Sequence, residues 1–107
     1  MPHAELKYSA ELDIDAGALL REVERILLQR DPGAGDCKGR AYPAAAAHHP
    51  NVLLEVSMLP KAHRDDAWLA ALQTELAEAL RPALPRPCWL SIELRFSGRH
   101  YLTEHLT

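Results

Sequence analysis

A chain of 107 residues with 12 Lys and Arg against 15 Asp and Glu carries a formal net charge of −3, with 48% hydrophobic and 25% charged residues. That length fits one domain, and that charge argues against a general binder of nucleic acid or anionic membrane surfaces. Apolar runs of only a few residues leave no candidate for a membrane-spanning helix.

Met1-Pro2-His3 opens the chain. Proline is small enough for the initiator methionine to be trimmed, which makes Pro2 the expected amino terminus. Within a chain its nitrogen would be an amide; at a free terminus it is a secondary amine. Such α-amines titrate near pKa ~7.7–8.0, and desolvation or a nearby cation lowers that value. Because proline makes up about 5% of residues in any case, the dipeptide alone assigns nothing.

From His3 to Ser9, Ala4, Leu6 and Tyr8 alternate with His3, Glu5 and Lys7, the pattern of a half-buried strand, here expected to form an edge. Glu5, Lys7 and Glu11 also stand where a secretion signal would have its apolar core. Asp15 is a helix N-cap, with Ile14 and Leu19 placed as a hydrophobic staple. Ala16, Leu19, Leu20, Val23, Ile26 and Leu27 follow at helical spacing, and Asp31-Pro32-Gly33-Ala34-Gly35 ends that helix. An extended segment is expected over Cys37–Ala44 and a turn at His48-His49-Pro50-Asn51. Val52–Met58 reads as a β-rich strand stopped by Pro60. A helix is expected from about Arg64 to Arg81, with Trp68, Leu69, Leu72 and Leu76 on its core face. Pro82, Pro85 and Pro87 break it, Cys88–Phe96 forms a last strand, and a short tail holds Arg99, His100, Tyr101 and His105.

The order proline, strand, helix, strand occurs twice. A shift of about 48 residues puts Pro2 on Pro50, Leu6 on Leu54 and Ser9 on Ser57, and about 51 puts Cys37 on Cys88. The expectation is a single domain over 1–107, with pseudo-repeats at about 2–47 and 50–97 and a tail at 98–107. Two β-α-β units give a four-stranded mixed sheet with both helices on one face, an α+β fold. The other sheet face then needs a cover, which neighbouring subunits would supply.

The Met1-Pro2-His3 opening, the Tyr8-Ser9 strand end, the Lys38-Gly39-Arg40-Ala41 stretch and the duplicated β-α-β plan together resemble the tautomerase superfamily, which includes macrophage migration inhibitory factor (MIF)-like folds. Within it the likeness is to 5-carboxymethyl-2-hydroxymuconate Δ-isomerases. The resemblance implies a homotrimer, an amino-terminal proline acting as base, cations that hold substrate carboxylates, and a place in aromatic-acid degradation. Carried onto this chain, Pro2 takes the catalytic position. Arg40 matches an arginine of the second strand, and Lys38 stands where relatives often show another. Being two apart on a strand, Lys38 and Arg40 share a face, where Arg40 offers a carboxylate its bidentate fork. A pair of solvated charges on a strand edge fits the same spacing. Lys38 departs from the family in lacking the fork, and Tyr42–Asn51 departs in being shorter and richer in alanine.

The implied reaction is a 1,3- or 1,5-proton shift on a 2-hydroxymuconate-type dienol or 2-oxo-alkenoate dicarboxylate. Pro2 is the base, and Arg40 with Lys38 or a neighbour's Arg99 binds the small anionic substrate. Only a proton moves, so no cofactor and no metal is expected. Pro50, locked in an amide at the repeat-equivalent position, implies one active site per subunit. Adjacent His48 and His49 point to opposite sides of an extended segment and do not chelate one ion. His100 and His105 are expected at the surface or at a subunit contact, and Trp68 in the core. Trp89 and Phe96 are expected in the core, in the trimer interface or as a wall near Pro2. Cys37 and Cys88 lack CxxC spacing and read as reduced thiols in the cytoplasm. Two rivals remain: a non-catalytic trimeric tautomerase-fold protein that binds small ligands, and a ferredoxin-like interaction module in which Pro2 is coincidence.

Overall fold

A computed structural model describes residues 1–107. The chain runs β1 (His3–Ser9), α1 (Ala16–Arg30), β2 (Lys38–Ala44), β3 (Asn51–Met58), α2 (Asp66–Leu80), a single 3-10 turn (Arg81–Ala83) and β4 (Trp89–Phe96). Each helix begins at an aspartate whose carboxylate accepts from a backbone N–H of the first turn. Asp15 takes Ala18 N at 3.0 Å and Asp65 takes Trp68 N at 2.9 Å, satisfying donors that a helix start leaves orphaned. Because Asp65 is the cap, α2 starts at Asp66 and Arg64 lies outside it, two residues later than the apolar periodicity alone places it.

The sheet order is β2-β1-β3-β4, with β1 parallel to β2, β3 parallel to β4, and an antiparallel pair at the centre. The first strand is therefore internal rather than an edge: the antiparallel partner β3 covers the side that sequence alternation leaves open. Both helices pack on one face. There Ala4, Leu6, Val52, Leu54, Val56 and Met58 of the sheet meet Leu19, Val23, Ile26, Leu72, Leu76 and Leu80 of the helices in one buried cluster. Gly39 lets α1 approach β2, since a Cβ there would stand 3.0 Å from Leu20 Cδ2.

The two halves repeat down to single hydrogen bonds. Lys38 N donates to Pro2 O at 3.0 Å, and Trp89 N donates to Pro50 O at 2.9 Å. Each proline thus abuts the first pair of a parallel ladder through its carbonyl.

The uncovered sheet face is charged, which changes what a cover must satisfy. Register brings Glu5 beside Arg40 and Glu55, and Glu55 beside Glu93. Arg40 pairs with Glu5 at 2.7 Å, Lys7 with Glu55 at 2.8 Å, and Arg95 bridges Glu55 and Glu93. Most carboxylates on this face already have cationic partners, so apolar burial does not demand its closure. No helix is long and apolar enough to cross a membrane.

Candidate active site

The candidate site forms where β1 begins. Pro2 alternates with His3 along the strand, so its ring turns to the helix side with Ala4 and Leu6, and it is fully buried. Met1 is 44% exposed. Its side chain rests on Gly35, where a Cβ would sit 3.2 Å from both Met1 Cγ and Met1 Cε. Gly35 also has φ +79°, a conformation that a side chain would strain. Met1, Asp36, Lys38, Thr103, Glu104 and His105 line an open cleft of about 460 Å³.

Cations gather around this end of the molecule. Lys38 Nζ is inaccessible to water and has no hydrogen-bond partner, although the residue lines the cleft. Burial first, then Lys38, Lys61 and Arg64, hold the Met1 amine below its ordinary value. Arg64 is a buried guanidinium: Nη2 and Nε donate to Asp31 Oδ2 at 2.6 and 3.2 Å, and Nη1 donates to Leu59 O at 2.7 Å. His63 lies 3.0 Å and Lys61 3.7 Å from the same oxygen. Burial opposes ionisation of Asp31, yet the Arg64 and His63 hydrogen bonds outweigh it and hold the carboxyl below its usual range.

Sequence reasoning missed this cluster, reading Asp31 as a helix stop and Arg64 as the first residue of a helix. One signal was available. Asp31 caps the C-terminal, negative end of α1, where a carboxylate is disfavoured without a cation nearby.

Arg40 lies on the open sheet face, two positions along β2 from Lys38. It donates to Glu5 Oε1 at 2.7 Å, and its Nη2 stands 3.3 Å from His3 Nδ1, so its fork is already engaged. Arg99 lies in the exposed tail, where its one hydrogen bond is to its neighbour His100 at 3.4 Å; one chain alone does not bring it to Pro2. Tyr101 does reach the site. Its hydroxyl lies 2.8 Å from His3 Nε2 and donates to Met1 O at 3.2 Å.

The other residues singled out by sequence are placed as follows. His48 and His49 do not point to opposite sides: they lie in an exposed turn with ring centroids 4.0 Å apart and planes tilted by 47°, because His49 takes φ +63° and the segment is not extended there. No three His, Cys, Asp or Glu side chains cluster as a metal set. His100 is exposed, and His105 lines the cleft. Trp68 packs at the margin of the core with Arg64 over its ring at 5.6 Å. Trp89 is 72% exposed and Phe96 43%, so neither is core. The reason is position: Trp89 starts β4 beside Pro50, and Phe96 ends it. Burial pushes the Cys37 thiol up to about 11, so it is no nucleophile at neutral pH.

No family model matches the chain, and no curated protein matches it by sequence. Solved structures do match by shape. A 5-carboxymethyl-2-hydroxymuconate delta-isomerase superposes with a TM-score of 0.79 at 21% identity, over 98% of this chain and 88% of that one. A macrophage migration inhibitory factor-like protein from Entamoeba histolytica gives 0.65 at 13% identity, over 97% and 96%. A 5-carboxymethyl-2-hydroxymuconate isomerase from Deinococcus radiodurans R1 gives 0.62 at 19% identity, over 99% and 90%. The chain has the fold these proteins share, a tautomerase-type four-stranded mixed sheet backed by two helices.

Proposed function

From that fold, we propose that the chain is a cofactor-independent isomerase. With Met1 removed, the Pro2 amine shifts a proton in a 2-hydroxymuconate-type dienol or 2-oxo-alkenoate dicarboxylate, in a cytoplasmic homotrimer of 107-residue domains. The observation that carries the reading is the position of Pro2: buried just before β1, one residue from an amine that feels Lys38, Lys61 and Arg64, and next in sequence to Met1, which with Lys38 lines the cleft; the Lys38 ammonium is buried with no partner. Two of the three solved structures above are 5-carboxymethyl-2-hydroxymuconate isomerases, which supports the substrate class.

An amine in these surroundings is held toward its neutral form by burial and by like charge. It takes the proton of the 2-hydroxyl group, and the O–H electron pair stays on oxygen. The dienolate charge spreads along the conjugated chain, and the protonated amine returns the proton to a remote carbon as the 2-oxo group forms. A positioned acid–base group of this kind contributes about 10² to 10⁴ in rate. Lys38 binds one carboxylate once its ammonium, buried and without a partner, turns out toward the cleft that the residue lines. Arg40 serves the substrate only by exchanging its Glu5 contact, and Arg99 only from a neighbouring subunit.

The test is turnover of a 2-hydroxymuconate-type dienol by protein whose intact mass shows Pro2 first. Conversion to the 2-oxo product is expected. Its absence, with dicarboxylate binding retained, would favour the ligand-binding reading instead. Lys38→Gln separates binding from chemistry. A charge-assisted hydrogen bond is worth about 1.5–3 kcal/mol, so KM should rise by about tenfold or more while kcat changes little. An unchanged KM would remove Lys38 from the site.

A further inference from the structure

Tyr101 is 98 positions from His3 in sequence, yet the tail carries its ring edge-on to the imidazole, centroids 5.7 Å apart. We propose that Tyr101 contacts the substrate. Its phenol donates a hydrogen bond to the 2-oxygen of the dienol and dienolate, and His3, held by Arg40 and Glu5, orients that phenol. The proposal rests on the reading of Pro2 as the base.

The direction of each hydrogen bond follows from the donors present. A guanidinium only donates, so Arg40 Nη2, 3.3 Å from His3 Nδ1, makes Nδ1 an acceptor. Burial, then Lys38 and Arg40, hold the imidazole below its ordinary value, which keeps it neutral, with its single proton on Nε2. That N–H points to Tyr101 Oη at 2.8 Å. The phenol oxygen therefore accepts from His3 and keeps its own hydrogen to donate. It donates that hydrogen to Met1 O at 3.2 Å, and Glu5 anchors the far end of the chain on Arg40 at 2.7 Å.

What makes the contact informative is which oxygen accepts it. The Met1 carbonyl carbon is bonded to the Pro2 nitrogen, so Met1 O stands two covalent bonds from the atom that becomes the base. A substrate hydroxyl giving its proton to that nitrogen takes nearly the same place, moved outward by the difference between a covalent link and a hydrogen bond. Tyr101 is thus aimed at the oxygen on which charge develops, and it keeps its own proton throughout the shift. Donors placed this way raise kcat rather than ground-state affinity, and removing one costs about 10²–10³-fold.

The experiment compares wild type, Tyr101→Phe, His3→Gln and His3→Leu, all with Pro2 first. Tyr101→Phe is expected to lower kcat for dienol ketonisation by about 10²-fold with KM within a few-fold. His3→Leu should fall similarly, and His3→Gln, which retains an N–H donor, should recover most of the rate. Binding supplies an independent readout. Wild type should bind 2-oxoadipate more tightly than adipate, and Tyr101→Phe should lose that preference. If Tyr101→Phe keeps both the wild-type kcat and the 2-oxo preference, the proposal is overturned while the role of Pro2 stands. If protein with a blocked Pro2 nitrogen turns over as fast as wild type, the base assignment falls, and the 2-oxo preference still decides whether Tyr101 reads the oxygen.

Discussion

Protein that retains Met1 should ketonise a 2-hydroxymuconate-type dienol about 10²–10⁴-fold more slowly than protein beginning at Pro2. Acylation turns the nitrogen into an amide with no useful basicity and leaves Met1 packed on Gly35, at the mouth of the cleft. Pro2→Ala is the milder change. It keeps a terminal amine but makes it primary and frees its backbone, so its rate should fall between the two. For Pro2-first protein, kcat/KM should decline as pH falls through the amine pKa, because only the neutral form accepts a proton. That decline should lie below the ordinary α-amine range near 7.7–8.0, for burial, Lys38, Lys61 and Arg64 already depress an amine one residue away. Stopped assays on mass-verified preparations across pH check all three statements. Equal rates with and without Met1 would remove Pro2 from the mechanism.

Asp31→Ala should destabilise the fold by about 3–5 kcal/mol, the usual result of leaving a buried charge without its partner. The Arg64 side chain is 3% exposed and that of Asp31 9%, so water cannot replace the carboxylate. A loss of that size is a large fraction of the 5–15 kcal/mol available to a typical domain. Urea unfolding at one fixed protein concentration measures it, and Arg64→Met in the Asp31→Ala background should restore part of the loss. The pH dependence has a definite sign. Asp31 is held below its usual range in the folded state, so its contribution is complete above the unfolded carboxylate pKa near 3.9. It is lost as pH falls further, through the folded value. A destabilisation under 1 kcal/mol would show that Arg64 finds another partner.

The fold was legible because its periodicities are local. Alternation places β1 at His3–Ser9 without error, and Val52–Met58 falls one residue short of β3 only because Asn51 is polar. Asp15 and the Asp31–Gly35 stop bound α1 well, and the paired prolines expose the repeat. The site was legible only in part. Pro2 and Lys38 are proposed as site residues from the resemblance, with strand parity putting Lys38 and Arg40 on one face, but whether Arg40 is free depends on Glu5, which only register brings beside it. The Asp31–Arg64 pair spans 33 residues and the His3–Tyr101 pair 98. Neither spacing carries a period, so no local pattern could announce them. Of the three places the sequence leaves open for Trp89, the core is excluded: its strand parity puts it on the sheet face that the helices leave bare, and a single chain offers nothing to bury it.

The bond from Lys38 N to Pro2 O divides one residue between two tasks. Pro2 anchors the β1–β2 ladder through its carbonyl, and its nitrogen, having no hydrogen in the uncleaved chain, never contributes to the sheet. Trimming Met1 therefore breaks no rung of the sheet. Under the proposed function, removal of Met1 would free the amine without loosening the strand that carries it, and uncleaved and trimmed chains would fold alike while only the trimmed one has a basic nitrogen at Pro2.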